Sequence, residues 1–558
     1  MGHFSILERF IFIGLSMILA GSVISILMNI SSVFTKEIPK DGGKFTEGII
    51  GTPRFINPVL MISDSDRDLS SLVYSGLTRI MPDGSVVPDL AEKYEISDDG
   101  KTYTFTIRNK AKFQDGTNVT AEDVIFTINK IQDPANKSPK RASFDGVSLE
   151  KISEKEVAFH LKSSYAPFIV NTSIGILPKN YWKDTNSDNF PLSQHNFKDP
   201  VGTGPYRIKE ISYSTSGLPE KYILEPFDNF TLGKPHISEI DIILYPNERA
   251  VFEAYKNGEI DSLSGISPES VPLLGKNAEI IASPMPRIIA VFLNQNEAPI
   301  FTHEEVRKAL SISTNRTDMI EKILLGFGNE KDGPLPFDYS APTSGSIEEG
   351  RKMLTNNGWQ YNDSDKVFEK ILKKDKKSKK EEKIVLKFTL YTSNVSDLEK
   401  TAKLLKENWE KLGAQVDLKV YEPGDLNQNI IRPRKFDALL FGEIIGHDMD
   451  LYSFWHSSQR NDPGLNVAMY TNVKADKLLE NGRVTSNKDE QDEIYNKFSN
   501  IVKDEVPVIF LYSPDFIYVK PKNVSGIVLP TITTPTERFS KIYSWYVYTE
   551  NVWRIFAN

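Results

Sequence analysis

Hydrophobic residues form their longest continuous run at the amino-terminal end of the chain. Residues 10–35 carry no charge, and residues 10–28 are almost entirely apolar. At about 1.5 Å per residue this run is long enough to cross a bilayer core of about 30 Å, whereas the apolar core of a cleavable signal peptide ends after about 7–15 residues. We therefore predict a transmembrane signal-anchor over residues 10–34, a cytoplasmic segment over 1–9 and a polar stalk over 35–41. A cleaved signal peptide is the alternative.

In the body of the chain, apolar positions alternate between the period of a strand and that of a helix. Residues 44–51 and Tyr103–Arg108 have the two-residue period of strands. Thr120 and Asp123 form the capping signature that begins a helix. A longer helix is predicted to end at Gly413, from apolar residues at three- and four-residue spacing: Leu398, Ala402, Leu405, Trp409 and Leu412.

Strands and helices alternate through the second half of the chain, which favours an α/β fold with a partly parallel sheet. Ile384–Tyr391 predicts one strand, and Phe436–Phe441 predicts a second that is short and buried. Thr302 and Glu305 form another capping signature at the start of a helix. The charge run Lys373–Lys383 is predicted to be the solvated tip of a hairpin.

The composition is that of a globular protein and excludes several classes of function. The 558 residues are 39% hydrophobic and 25% charged, which allows a large core. The net charge is −8, which argues against a nucleic-acid-binding protein, because such proteins need a basic surface. The chain has no cysteine, which excludes disulfides, cysteine–zinc sites, iron–sulfur clusters and lipid attachment through cysteine. We expect no cofactor.

Signatures of catalysis are missing from the sequence, and those of metal binding are weak. There is no Gly-x-Ser-x-Gly, Gly-x-x-x-x-Gly-Lys or His-Glu-x-x-His motif. The densest polar cluster is Gly446–Asp450, with His456 shortly after it. Its imidazoles and carboxylates are metal-ligand types, but the same acids are suited to capping turns. We therefore predict that the chain is not an enzyme, and His447 and His456 are outside candidates for a metal.

A set of short motifs is spread over the chain from about Gly42 to the C-terminus. The most specific is Phe113–Thr117, which runs into Thr120–Val124. The others are Gly51–Pro58, Val73–Thr78, Pro88–Glu92, Asp99–Arg108, Gly202–Tyr206, Val306–Leu310, Asn315–Arg316, Pro507–Tyr512 and the helix entry between Tyr470 and Leu479. With this set the chain resembles the family 5 extracellular solute-binding proteins, the peptide- and nickel-type receptors of bacterial ABC importers.

The resemblance implies a two-lobed α/β fold of the periplasmic-binding-protein type, with an extra subdomain and a hinge of crossing strands. It implies that lobe I comprises residues 42–88, 201–282 and 511–558, the inserted subdomain 89–200 and lobe II 283–510. The implied function is capture of a peptide-like or other small organic solute between the lobes and its delivery to an ABC permease and ATPase. We expect a monomer, held to the cell membrane by its single span, with its body on the extracellular or periplasmic side.

Loops that follow strands are expected to line the cleft, because ligands of α/β sheets bind beyond the carboxyl ends of strands. The candidate ligand-binding residues lie in such loops or beside them: Phe55, Asn57, Asn294, Gln295, Glu443, Ile445, Asp448, Asp450 and Trp455. Phe55 and Trp455 are candidate aromatic walls, although ordinary core positions are the alternative for both.

One of these loops departs from the peptide receptors of the family. Asp448-Met449-Asp450 matches their Asp-Pro-Asp run, and the acid that pairs with a peptide's α-ammonium falls three residues earlier, at Ile445. Ile445 cannot form that ion pair, and Glu443 could replace it only if the loop is displaced. Alternative functions are a nickel or metal-chelate receptor, a surface sensor, chaperone or assembly factor without transport, and, with least support, an exported hydrolase.

Overall fold

The computed structural model describes residues 5–81, 84–186, 188–336, 338, 345–374, 381–447 and 449–555. Its α-helices in chain order are α1 (Ile6–Phe34), α2 (Asp64–Val73), α3 (Ala121–Gln132), α4 (Phe168–Asn171), α5 (Lys179–Trp182), α6 (Glu248–Lys256), α7 (Glu304–Ile312), α8 (Arg316–Lys322), α9 (Ile347–Asn356), α10 (Ser396–Leu412), α11 (Pro423–Asp425), α12 (Tyr452–Trp455), α13 (Val473–Val484) and α14 (Lys488–Glu505).

The strands in chain order are β1 (Thr35–Lys40), β2 (Lys44–Ile50), β3 (Thr78–Ile80), β4 (Val86–Pro88), β5 (Ala91–Ile96), β6 (Thr102–Ile107), β7 (Ser148–Ser153), β8 (Glu156–His160), β9 (Tyr206–Tyr213), β10 (Pro219–Pro226), β11 (Glu239–Tyr245), β12 (Ser262–Ser264), β13 (Glu279–Pro284), β14 (Arg287–Leu293), β15 (Gly328–Glu330), β16 (Gln360–Asn362), β17 (Val367–Lys374), β18 (Glu381–Val385), β19 (Lys387–Ser393), β20 (Gln415–Tyr421), β21 (Ala438–Ile444), β22 (Val508–Lys520) and β23 (Tyr548–Trp553).

One large mixed sheet runs through the body of the protein, in the order β20-β19-β21-β14-β22-β12-β2-β11-β10-β9. The pairs β19–β20, β19–β21, β2–β11 and β2–β12 are parallel, as the alternation of strands and helices predicts. The amino-terminal half of the central strand β22 pairs with β14 and β15, one on each edge, and its carboxyl-terminal half pairs in the same way with β12 and β13. We call the part with β2 and β9–β13 the first lobe and the part with β14, β15 and β19–β21 the second lobe.

A separate antiparallel sheet, in the order β5-β6-β8-β7, lies with α3–α5 in what we call the insert. The insert does not have a core of its own, because its residues Phe105 and Phe159 belong to the same buried cluster as Phe45 and Trp545 of the first lobe. The second lobe has a buried cluster on each face of its sheet. The exact residue boundaries of the lobes stay a prediction.

The amino-terminal segment differs from its sequence prediction. Among the described residues, no helix combines the length and the apolarity that crossing a membrane requires. The signal-anchor predicted over residues 10–34 is therefore not supported by the structure. The predicted stalk is also not an isolated linker, because residues 35–40 form β1, which pairs antiparallel with β23 near the carboxyl terminus.

Of three local predictions compared with the structure, the end of α10 is confirmed and the other two are wrong. The helix α10 ends at Gly413, whose φ of 114° is left-handed as expected for a helix-ending glycine. Ile384–Tyr391 is not one strand. It is interrupted between β18 and β19, and these two strands belong to different sheets. Thr302 does not cap α7, since its hydroxyl donates to the Pro299 carbonyl and His303 occupies the cap position. Part of Lys373–Lys383 lies outside the described residues.

A buried ion-pair network ties the carboxyl-terminal tail to the first lobe. The Arg538 side chain is fully buried, and its Nε donates to Glu47 Oε1 of β2 at 2.9 Å. Its Nη1 and Nη2 donate to Asp68 of α2 at 2.9 and 2.6 Å. Tyr518 of β22 donates to the other oxygen of Glu47 at 3.0 Å. One guanidinium thus joins β2, α2, β22 and the tail.

Replacing Arg538 with Met should strongly destabilise the protein. Removing one member of a buried pair leaves uncompensated charge in the interior, which costs on the order of 3–5 kcal/mol. The matched control is Arg207→Met, which breaks the half-exposed pair between Arg207 and Glu225 and should cost less than about 1 kcal/mol. Urea unfolding followed by fluorescence measures both. Equal unfolding midpoints for the two variants would contradict a structural role for the network.

Candidate functional site

The insert and the second lobe face each other across a cleft that contains two cavities. The larger, of about 880 Å³, is lined by Tyr94, Tyr103 and Pro167 of the insert and by Met449 and Tyr495 of the second lobe, among others. The smaller, of about 610 Å³, also has walls from both sides, and its lining residues include Asp145, Phe168, Ile444, Asp450 and Arg483. A molecule in either cavity would contact both walls.

Between the cavities, the insert touches the second lobe through four residues that we call the bridge: Tyr165, Ala166, Asp450 and Arg483. The Ala166 amide donates to the Arg483 carbonyl at 2.9 Å. The Tyr165 hydroxyl and Arg483 Nη2 both donate to Asp450 Oδ2, at 3.2 and 2.9 Å. The Arg483 guanidinium also lies 5.1 Å from the centre of the Tyr165 ring, at a distance suited to a cation–π contact.

A second contact joins the second lobe to the carboxyl-terminal tail. His447 Nε2 lies 2.9 Å from Glu537 Oε2, and the His447 side chain is almost completely buried. Glu537 also accepts a hydrogen bond from the Thr533 amide at 2.8 Å. Because Glu537 precedes Arg538, the buried network of the first lobe fixes the backbone that presents Glu537 to His447.

Glu443 is a buried carboxyl near the end of β21. Its Oε1 has no hydrogen-bond partner among the residues that the structure describes. Burial raises the pKa of Glu443 to about 8, with no nearby charge to offset the loss of hydration. At pH 7 this side chain is therefore mainly protonated, and it presents a neutral hydrogen-bonding group rather than a negative charge.

Two predicted site residues of the first lobe have structural contacts. Phe55 is buried in the core shared by the first lobe and the insert, and its amide donates to Asp66 Oδ1 at 3.0 Å. Asn57 is fully buried, and its side chain accepts from the Val59 amide and donates to Asn196, both at 2.8 Å. Both side chains support the loop after β2.

The predicted site residues of the second lobe separate into several environments. Asn294 is buried and caps a turn, with its Nδ2 donating to the Arg434 carbonyl at 2.9 Å, while Gln295 beside it is half-buried. Ile445 and Trp455 are buried in one core cluster, and the Ile445 amide donates to the Pro286 carbonyl. Asp450 lies at the bridge. Asp448 lies outside the described residues.

The two histidines considered for a metal have different partners. His447 pairs with Glu537, whereas His456 Nδ1 lies 2.8 Å from the Ser458 hydroxyl and its Nε2 lies 3.4 Å from Glu480. In the part of the chain that the structure describes, no group of three or more histidine, cysteine, aspartate or glutamate side chains is placed to hold a metal ion.

Sequence reasoning missed three residues that contact across the cleft: Tyr165, Arg483 and Glu537. Tyr165 follows β8 in the insert, and Arg483 lies in the last turn of α13 as a basic residue near a helix carboxyl end. That position is common for arginine and gives no sign of a distant partner. The sequence did select their partners Asp450 and His447, the first as a candidate binding residue and the second as an outside candidate for a metal.

The fold and the cleft define a two-lobed binding protein with a ligand space between its insert and its second lobe. The family described as bacterial extracellular solute-binding proteins, family 5 Middle, matches residues 85–466, and the chain belongs to this family. Membership of this family agrees with three predictions: a binding role, the absence of enzymatic activity, and a body on the extracellular side.

Relatives and solved structures agree with this assignment. The oligopeptide-binding protein AppA of Bacillus subtilis is 27% identical over 503 residues, which cover 88% of this chain and 89% of AppA. The structure of the ABC transporter substrate binding protein CtaP from Listeria monocytogenes matches with a TM-score of 0.75 at 27% identity. NikZ from Campylobacter jejuni, solved in complex with Ni(L-His), matches with a TM-score of 0.68 at 25% identity. Each solved structure is covered completely and spans 91% of this chain.

Burial of Glu443 predicts a pH-dependent stability. Between about pH 4.5 and 8 the unfolded carboxyl is ionised while the folded one keeps its proton, so the free energy of unfolding should fall as the pH rises through this window. In the native protein this decrease in the free energy of unfolding should be on the order of a few kcal/mol. It should be absent in Glu443→Gln and retained in the exposed control Glu321→Gln. Urea unfolding at about pH 5 and pH 8 tests this. An unchanged pH dependence in Glu443→Gln would contradict it.

Proposed function

We propose that this protein captures a peptide-like or other small organic solute between its insert and its second lobe and delivers it to an ABC permease and ATPase. The observation that carries the proposal is that both cleft cavities have walls from both sides. A solute that contacts both walls favours the closed arrangement over the open one, and this difference is what a permease can recognise.

The size of the cavities supports a solute of small-peptide size. Pockets for small molecules have volumes of about 300–1,000 Å³, and the two cavities here measure about 880 and 610 Å³. AppA has been solved in complex with a nonapeptide, and this match has a TM-score of 0.67. A longer peptide would have to pass the bridge that separates the two cavities.

We propose that the protein acts as a monomer.

A nickel or metal-chelate solute is the second candidate, because NikZ holds Ni(L-His). Two histidines with separate partners support it less well than the cavities support an organic solute. Attachment to the membrane through residues 10–34 is a separate proposal, which rests on the uncharged run of the sequence alone.

The purified protein should retain peptides from a casein digest and become more compact. Retained peptides should elute intact on denaturation, as mass spectrometry would record, because the site is proposed to bind without turnover. Small-angle scattering should give a smaller radius of gyration with peptide than without it, since closure brings the lobes together.

Nickel chloride and nickel–histidine serve as the alternative ligands in the same assays. Heat of binding and compaction with nickel–histidine, but none with peptides, would replace the peptide proposal with the metal-chelate one. Cleaved peptides would point to a hydrolase.

Peptide binding should not depend on a free amino terminus. Of the described residues considered for pairing with an ammonium, Ile445 is buried in a core, Glu443 is mainly neutral at pH 7, and Asp450 already pairs with Arg483. A buried ammonium without a partner costs several kcal/mol. Calorimetry should therefore give equal or tighter binding after N-acetylation of a retained peptide.

The informative variant is Glu443→Gln, since Ile445→Asp would place a charge in the core. If acetylation abolishes binding to the native protein, and Glu443→Gln has the same effect on the free peptide, then Glu443 pairs with the ammonium and the prediction is wrong.

A further inference from the structure

The bridge residues Asp450 and Arg483 each have an unused hydrogen-bonding atom. Asp450 is 7% exposed, and its Oδ1 accepts no hydrogen bond from any described residue, although its Oδ2 accepts two. Arg483 Nε likewise donates to no described residue, although Nη2 of the same side chain donates to Asp450. Buried polar atoms in native proteins usually have a partner.

These two side chains line the smaller cavity, whose other walls combine polar and apolar residues. Asp145, Lys162, Asp450 and Arg483 are the charged residues of its lining, so the formal charges balance. Phe168, Phe454, Ile444 and Leu465 are among its apolar lining residues, and the last two side chains are about half exposed. Because the formal charges balance, the cavity is suited to a neutral group, and apolar side chains are available beside it.

We propose that Asp450 and Arg483 form a subsite for an uncharged amide of the solute. Asp450 Oδ1 would accept from the amide N–H, and Arg483 Nε would donate to its carbonyl oxygen. This inference rests on the proposed function and deepens it, because it assigns an internal peptide unit, rather than a peptide end, to the smaller cavity.

Charged groups fit this subsite less well than an amide. An ammonium would meet a carboxylate whose charge Arg483 already neutralises at 2.9 Å. A carboxylate would lie beside the unpaired oxygen of Asp450 and be repelled by it. An amide offers one donor and one acceptor, and it thereby satisfies both unused atoms without adding charge to a closed cleft.

The probe is N-acetyl-tetraalanine methylamide, together with analogues in which one amide at a time is replaced by an ester. An ester removes an N–H donor and keeps the carbonyl. Calorimetry on the native protein should give a loss of affinity of about tenfold at one ester position. Asp450→Asn should weaken the parent amide by about tenfold and should abolish the ester effect at that position.

Two variants separate amide binding from other roles of Asp450. Tyr165→Phe removes the other hydrogen bond to Asp450 Oδ2 and weakens the bridge, but it leaves both proposed contacts in place. Asp145→Asn makes the same change of charge at an exposed position of the same cavity. Both variants should keep the full ester effect.

An ester effect that persists in Asp450→Asn, or that is lost equally in Tyr165→Phe, would overturn the subsite. Failure of the native protein to bind any of these neutral probes would also overturn it. If the protein still retains peptides from a casein digest, the proposed function stands without the subsite. If it retains none, the proposed function fails as well.

Discussion

The arrangement of the whole molecule depends on the backbone pairing of β22, because this strand belongs to both lobes. Its amino-terminal half pairs with β14 and β15 of the second lobe, and its carboxyl-terminal half pairs with β12 and β13 of the first. The chain passes between the lobes at residues 284–287 and again at 512–515. These crossings lie side by side, because Pro284 pairs with Asp515, so the closure proposed above would turn about them.

The Arg538 network extends this constraint to the tail that follows β22. A buried ion-pair network adds little net stability compared with a well-packed apolar core. Its effect here is to fix the position of the tail, because Glu47, Asp68 and Tyr518 hold the tail against the first lobe. Glu537 is thereby placed opposite His447, a residue that lines the larger cavity.

The sequence predicted those features that depend on short-range periodicity and on motifs, which include the family, the strands, and α10 with its end at Gly413. It failed where packing decides between similar local patterns. Ile384–Tyr391 has a continuous strand pattern, yet its residues belong to two strands, β18 and β19, which lie in different sheets. Most of the bridge could not be predicted from the sequence, because Tyr165 and Arg483 meet only through the tertiary fold and neither has a local sequence signal. Asp450 was selected as a loop acid, but its partners were not.

The strength of the contacts across the cleft decides whether the protein can respond to a solute. The bridge and the His447–Glu537 pair contribute only a few hydrogen bonds, worth about 0.5–1.5 kcal/mol net between neutral groups and about 1.5–3 kcal/mol where one partner is charged. To move a two-state equilibrium from almost fully open to almost fully closed requires about 5.5 kcal/mol of differential binding. Since the bridge has partly exposed members, such as Arg483, its contribution is smaller than a fully buried set would give. The contacts therefore align the walls and supply part of the closing free energy, and a solute that touches both walls has to supply the remainder.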